Sequence, residues 1–323
     1  MKKWISAFGI LLLIGSCQSG AKNVPTIGFA DAFEDNTIEQ AKQGFLDALF
    51  KNGYDDKKGT INVIYRNAQG NIPVLTQIIQ YFISQKVTLI AASPSLSTIT
   101  AIQNTKDIPV FMMVSPTPAM MKVTDEQGAA PKNLFGVADE QDYIDTSFAL
   151  INTLVKPKSA QLSVGMIFNQ SEPQSVEALA RIRRLADKLH INVVSLPVNS
   201  TADVQLVTQS LLSKNIDAFF ANPDNTVFGS FETIIKACNT AKVPVFTSEA
   251  GLVARGAVAA YGADIYQWGY QAGEQAAQYL KTKSLDGLHW EKVKLRKCVY
   301  NPAVAAQFGI TVPPDFEAIQ PAK

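Results

Sequence analysis

Short apolar runs alternate with amphipathic stretches along most of this chain, and that alternation predicts an α/β protein. Thr26–Ala30 reads as a first strand. Ile38, Ala41, Phe45 and Leu49 then recur at helical spacing, with Gly53 as the stop. Ile61–Tyr65 is a second strand. Asn71 is placed to cap the next helix, whose apolar face is Leu75, Ile78, Ile79, Phe82 and Ile83. Thr88–Ala92, Pro109–Val114 and Leu134–Val137 read as further strands, with a short helix carrying Ile99 and Ile102 between the first two.

After Asp139 the alternation starts again. Helices are expected over Tyr143–Val155, Ser175–Leu189, Asp203–Lys214, Val227–Ala241 and Tyr266–Lys281. Strands are expected at Ser163–Phe168, Asn192–Val198, Ala218–Ala221, Pro244–Thr247, Ala257–Tyr261 and Val293–Tyr300. Two such runs, broken near 139–142, predict two doubly wound Rossmann-like lobes. The late elements cross back, so 24–139 with about 262–290 form one lobe, and 140–261 with about 291–313 form the other. Loops at the carboxyl ends of parallel strands then face a common cleft, where open α/β sheets bind ligands.

Composition narrows the class. The 323 residues are 47% hydrophobic and 18% charged, as in a globular protein. The 29 basic and 28 acidic residues leave no footprint for nucleic acid. The start of the chain carries an address. Lys2 and Lys3 precede an apolar run, Ile5–Ile14, that is short for a bilayer span. Ile14-Gly15-Ser16-Cys17 resembles a bacterial lipobox, so 1–17 is expected to be a lipoprotein signal with Cys17 lipidated. The alternative is an ordinary secretory leader. Lipidation anchors a chain to a membrane without spanning it. Cys238 and Cys298 remain, either as a pair or as two free thiols. His190 and His289 are far apart and without nearby cysteine, so no metal and no cofactor are expected.

Candidate chemistry sits in the loops. Ser93, Pro94, Ser95 and Ser97 precede a helix start, where free N–H groups and the dipole favour an anion such as a carboxylate. Capping by Ser95 or Ser97 is the competing explanation. Ser115, Pro116 and Thr117 end the next strand in the same manner. Asp224, Glu249, Glu172 and Glu34 lie in comparable loops and are suited to an ammonium, or else to capping their own helices. An anion site on one lobe and carboxylates on the other suit a zwitterion. Phe29, Phe33, Tyr266 and Trp268 are available to clasp an apolar side chain, or to pack in the core. No histidine accompanies a serine or cysteine nucleophile, no Gly-x-Ser-x-Gly elbow is present, and no phosphate loop occurs. Catalysis is not expected.

An ordered series carries a family resemblance: Ile27-Gly28, Gly44-Phe45, Asn52-Gly53-Tyr54, Asn67-Ala68-Gln69-Gly70, Asp107-Ile108-Pro109-Val110, Asn169-x-Ser171-Glu172-x-x-Ser175, Asp224-Asn225-Thr226-Val227, Pro244-Val245-Phe246, Arg255-Gly256-Ala257 and Tyr261-Gly262. It resembles the ABC-transporter substrate-binding proteins of the group with tryptophan- and tyrosine-binding members, from about residue 25 to 313. The resemblance implies a type I periplasmic-binding-protein fold. It also implies hinge closure on a small solute and presentation to an ABC permease with its ATPase. The residues expected at the ligand are Phe33, Glu34, Ser93, Pro94, Ser95, Ser97, Ser115, Pro116, Thr117, Asn169, Ser171, Glu172, Asp224, Asn225, Thr226, Glu249 and Asp264. The chain departs from the family at Glu34-Asp35-Asn36 (often Glu-His-Pro), at Ser93-Pro94-Ser95 (a Thr-Pro-Ala type loop), at Ser248-Glu249 (often Ser-Asp) and in a longer stretch between Met121 and Asn133. These positions bear on the ligand, expected to be an amino acid, aromatic members included. The alternatives are a surface sensor signalling to a membrane partner and an extracellular hydrolase.

Overall fold

The computed structural model describes residues 24–140 and 142–319, and the expected leader with Cys17 lies outside them. The first run of elements is β1 (Thr26–Asp31), α1 (Asn36–Lys51), β2 (Asn62–Asn67), α2 (Ile72–Ser84), β3 (Leu89–Ser93), α3 (Ser95–Asn104), β4 (Val110–Pro116) and β5 (Leu134–Asp139). The second is α4 (Tyr143–Leu154), β6 (Ser163–Asn169), α5 (Pro173–Leu189), β7 (Asn192–Val198), α6 (Val204–Leu212), β8 (Ala218–Ala221), α7 (Asn225–Phe228), α8 (Phe231–Thr240), β9 (Val245–Thr247), α9 (Ala250–Ala254) and β10 (Ala259–Ala263). The chain ends in α10 (Ile265–Thr282), β11 (Glu291–Lys292), β12 (Arg296–Tyr300), α11 (Pro302–Gln307) and β13 (Glu317–Ala318).

The first lobe is a parallel sheet in the order β2-β1-β3-β4-β5-β11. Its central strands β3, β4 and β5 are buried at every residue, which is why their sequences are apolar without alternation. The second lobe is the parallel sheet β7-β6-β8-β9. The Glu249–Ala263 bridge extends it to β10, which pairs antiparallel with β12. Asn71 caps α2 as its position suggests, accepting from the Val74 N–H at 3.1 Å.

Three segments connect the lobes: β5 to α4, β10 to α10, and β11 to β12. Helix α10 returns to pack on α1, and two glycines make that contact possible. A Cβ on Gly269 would lie 1.8 Å from the Ala41 carbonyl oxygen, and one on Gly273 would lie 2.5 Å from that of Phe45. The close approach fixes the start of α10, and with it Trp268, at the cleft.

Three boundaries differ from the sequence reading. The expected helix Val227–Ala241 is two, α7 and α8, joined at Gly229-Ser230. The Arg255 guanidinium donates to the Phe228 carbonyl at 3.1 Å, taking an acceptor that a continuous helix would use. The expected strand Val293–Tyr300 begins only at Arg296. Glu291–Lys292, which the sequence reading gave to the second lobe, pair instead with β5. Gln271 of α10 holds this segment, donating to the Lys292 carbonyl at 3.0 Å and accepting from the Lys294 N–H at 3.2 Å. Finally, β10 runs to Ala263, so residues 262 and 263 belong to the second sheet and not to the first lobe.

Candidate ligand-binding cleft

Strands β3, β4 and β5 of one sheet and β6, β8 and β9 of the other end in buried polar residues that face each other. Ser93, Ser95, Ser115, Asp139, Asn169, Glu172, Asp224 and Glu249 are each 7% exposed or less. Burying polar groups is costly unless they are paired, so their partners decide what each one does.

On the first lobe no side chain caps α3. Ser97 Oγ donates backwards to the Ser93 carbonyl at 2.8 Å, and Ser95 Oγ lies 3.3 Å from Asn225 Nδ2 across the cleft. Capping by either serine, the competing explanation, is therefore absent, and the positive end of α3 opens toward the cleft. Thr98 Oγ1 and Ser115 Oγ bond to each other at 3.0 Å behind it.

The second lobe carries three buried acids with different fates. Asp224 caps α7, accepting from the N–H groups of Thr226 (2.8 Å) and Val227 (3.0 Å) with one oxygen. Its other oxygen accepts from the Asn169 N–H (2.6 Å) and Ser175 Oγ (2.5 Å). Burial pushes this carboxyl up, against four donors that favour its ionised form. Glu172 accepts from Gln174 Nε2, Asn225 N and Nδ2, Asn169 Nδ2 and Thr226 Oγ1. Burial, and then the charge of Asp224, raise it to about 8. Both acids thus spend their oxygens on holding α5 and α7 against β6 and β8.

Glu249 is different. Its Oε1 accepts from the Tyr143 hydroxyl at 2.8 Å, while Oε2 is buried with no partner. Burial, with a smaller contribution from the Asp139 charge, raises it to about 8. The Trp268 indole N–H is likewise buried with no partner, and its ring stands edge-on to Tyr143 at 6.0 Å between centroids.

These groups surround a cavity of about 390 Å³ lined by Pro94, Ser95, Val114, Ser115, Pro116, Asp139, Tyr143, Gln174, Pro223, Asp224, Asn225, Phe228, Glu249 and Trp268. The lining holds three acids and no lysine, arginine or histidine.

Of the residues expected at the ligand, Pro94, Ser95, Ser115, Pro116, Asp224, Asn225 and Glu249 line this cavity. Phe33, Asn169, Ser171, Glu172 and Thr226 line a second opening between the lobes, of about 920 Å³. Thr117 sits with Ser171 at a third. Ser93 and Ser97 are buried below the surface of the site, and Glu34 is exposed. Asp264 is turned to its own helix, accepting from the Gln267 N–H at 3.2 Å, and lies 3.1 Å from Lys297 Nζ.

Sequence reasoning missed Val114, Asp139, Tyr143, Gln174, Pro223 and Phe228. Asp139 had the same strand-end signal as Ser115, yet it served only to mark a boundary. Among the aromatic candidates, Trp268 reaches the cavity. Phe29 packs edge-on to Phe45 in the core, and the Tyr266 hydroxyl bonds Asp47. Cys238 and Cys298 are free thiols. Among the described residues there is no cluster of histidine, cysteine or acid able to hold a metal ion, and no helix long and apolar enough to cross a membrane.

Comparison with known proteins agrees with this arrangement. The model of the family described as ABC transporter substrate binding protein matches residues 26–319. A tyrosine-binding protein of Clostridioides difficile (strain R20291) is 32% identical over 271 residues, 83% of this chain and 76% of that protein. A conserved domain protein from Vibrio cholerae is 28% identical with a TM-score of 0.82, covering 91% of this chain and 99% of that one. An ABC domain from Streptococcus pneumoniae, solved in complex with L-Trp, gives a TM-score of 0.81 at 22% identity over the same shares, a likeness of fold. Two parallel sheets joined by three crossovers, with their strand ends around one acidic cavity and a family match over nearly every described residue, lead to one conclusion: the chain belongs to the ABC transporter substrate-binding proteins.

Proposed function

We propose that this protein captures an aromatic α-amino acid between its two lobes and presents it to an ABC permease, tethered to the membrane through a lipid on Cys17. The observation that carries the ligand class is the unpartnered Oε2 of Glu249, buried in a cavity whose lining has no base. Burial keeps this carboxyl protonated in the empty cleft up to about pH 8, and a ligand ammonium beside it favours the ionised form through a charge-assisted hydrogen bond. The uncapped start of α3 on the opposite lobe suits a carboxylate. Val114, Phe228 and three prolines supply apolar walls for a side chain. The tyrosine-binding relative from Clostridioides difficile supports an aromatic side chain. The lipobox-like Ile14-Gly15-Ser16-Cys17 supports the anchor. Contacts to both ends of the ligand are complete only when the lobes meet, so binding shifts the population toward closure.

The test uses the soluble chain starting after Cys17, unfolded and refolded to strip any bound ligand. Thermal shift and calorimetry are run with the amino acids and with 3-(4-hydroxyphenyl)propionate, which is tyrosine without its amine. A ligand at 100 times its dissociation constant adds about 2.7 kcal/mol of stability. Tyrosine, tryptophan or phenylalanine is expected to raise the melting temperature, and the amine-free acid is not. Equal binding of tyrosine and the amine-free acid sinks the role given to Glu249. A response to sugars or nucleosides alone sinks the amino-acid reading.

A further inference from the structure

We propose, on the amino-acid reading of the same cleft, that the indole N–H of Trp268 donates to the ligand carboxylate. Trp268 is then a specificity-determining residue of the site and not merely an apolar wall.

Trp268 is 3% exposed, and its Nε1 has no hydrogen-bond partner. Buried indole N–H groups are ordinarily bonded, so this one is waiting for an acceptor that the polypeptide does not supply. The ring cannot turn away to find one. Tyr143 meets it edge-on at 77°, and α10 is pinned to α1 through Gly269 and Gly273, whose missing side chains let the two backbones touch.

Most other side-chain donors around the cavity are engaged within the protein; the exception is the Ser95 hydroxyl, which accepts from Asn225 and donates to no protein group. Asn225 Nδ2 donates to Glu172 and Ser95, and Gln174 Nε2 to Glu172. The Tyr143 hydroxyl donates to Glu249, and Ser115 is joined to Thr98. Trp268 Nε1 and Glu249 Oε2 are buried with no partner of any kind, and the indole, unlike the rotatable Ser95 hydroxyl, offers its N–H in one fixed direction in the ring plane. The two flank one side chain: Tyr143 bonds Glu249 through its hydroxyl and packs on Trp268 through its ring. An α-amino acid carries its ammonium and its carboxylate on a single carbon. One head group laid beside Tyr143 satisfies both unpaired atoms at once. The donor comes from the first lobe and the acceptor from the second, so the same head group also ties the lobes together.

The experiment compares tyrosine with tyramine, which lacks only the carboxylate, on the wild-type chain and on Trp268→Phe, which keeps an aromatic ring and loses the donor. Calorimetry is expected to show tyrosine weakened about tenfold or more, the scale of a hydrogen bond to a charged group, with tyramine changed less than twofold. Loss of both ligands to the same degree assigns Trp268 a packing role and overturns the proposal. No loss of tyrosine overturns it too. Trp268 and Trp290 are the two tryptophans of the soluble chain, so the wild-type protein gives a second, independent reading. The Trp268 indole N–H resonance should move downfield when tyrosine binds and stay in place with tyramine. A resonance unmoved by tyrosine overturns the proposal whether or not Trp268→Phe folds. Failure of the wild-type chain to bind any amino acid removes the amino-acid reading itself, a result distinct from binding without a contribution from Trp268.

Discussion

Asp35 and Arg255 stand 220 positions apart in sequence and meet at 2.5 Å, one from each lobe. Both side chains are buried, at 1% and 8% exposure. Each also has partners within its own lobe. Asp35 Oδ1 accepts from the Ile38 N–H at the start of α1. Arg255 is held by both oxygens of Glu232 and by the Phe228 carbonyl, and it lies over the Phe231 ring. Phe228 also lines the ligand cavity, so the ion pair that joins the lobes is anchored on the ligand-facing helix.

Asp35→Asn keeps the helix cap, since Asn caps as well as Asp, and removes the charge that reaches across the cleft. The closed state loses stability relative to the open one. Apparent ligand affinity should fall about tenfold, or roughly 1.4 kcal/mol, because the competent state is less populated. Small-angle scattering of the ligand-free variant should show a larger radius of gyration than the wild type. Identical scattering and identical affinity would show that the pair does not govern closure.

Asp224→Ala should unfold more readily. Its carboxylate serves four internal donors, two of them at the cap of α7. Losing a cap costs about 1 kcal/mol and stranding further buried donors about 1–3 kcal/mol each. A melting temperature lower by several degrees is expected even without ligand. An unchanged melting temperature with reduced affinity would return Asp224 to the role of a direct ligand contact.

The ligand-free protein should be more stable at mildly acidic pH than at alkaline pH. Burial raises Glu249 and Glu172 to about 8 and Asp31 to about 7, far above the usual carboxylate range. Between roughly pH 4 and 8 the folded chain keeps protons that the unfolded chain has released. The stability this provides is full below about pH 4 and is lost as pH rises through the folded values. Melting curves at constant ionic strength should fall between pH 5.5 and 8.5 by a few degrees, at about 2–4 °C per kcal/mol. Glu249→Gln should flatten this slope. It should also weaken tyrosine by about tenfold or more, because an amide cannot ionise to meet the ligand ammonium. A slope that is unchanged in the variant would exclude Glu249 from the titration.

Gly269→Ala tests the seam between α1 and α10. The added Cβ would sit 1.8 Å from the Ala41 carbonyl oxygen, and backbone on both helices must move to relieve it. Overpacking of this kind costs about 1–3 kcal/mol, against the usual gain from replacing glycine by alanine in a helix. A lower melting temperature is expected, together with weaker ligand binding as Trp268 shifts. A more stable variant would mean that the helices are free to slide apart.

Periodicity located β1 through β10 and most of the helices between them, though it ran α7 and α8 together and left the five-residue α9 as loop, because each long element buries a stripe or a face whose spacing is set by its own backbone geometry. The lobes, the serines before α3 and the acids after β6, β8 and β9 follow from that pattern, since strand ends before helices are polar for a local reason. What local pattern does not encode is which of those polar groups is left over. Asp224 and Glu249 have the same signature in sequence, an acid just after a buried strand. One meets four donors from β6, α5 and α7, and the other meets a single tyrosine from α4. In sequence Trp268 is one of four aromatic candidates for the ligand side chain or the core, and only the folded chain sets it beside Tyr143 with its indole N–H unpaired. The sequence by itself determined the principal strands and helices, the two lobes and the polar rim of the cleft. The tertiary structure alone decided which acid and which indole stay unpaired, because most of the partners come from other elements, such as β6 and α5 for Asp224 and α4 for Glu249.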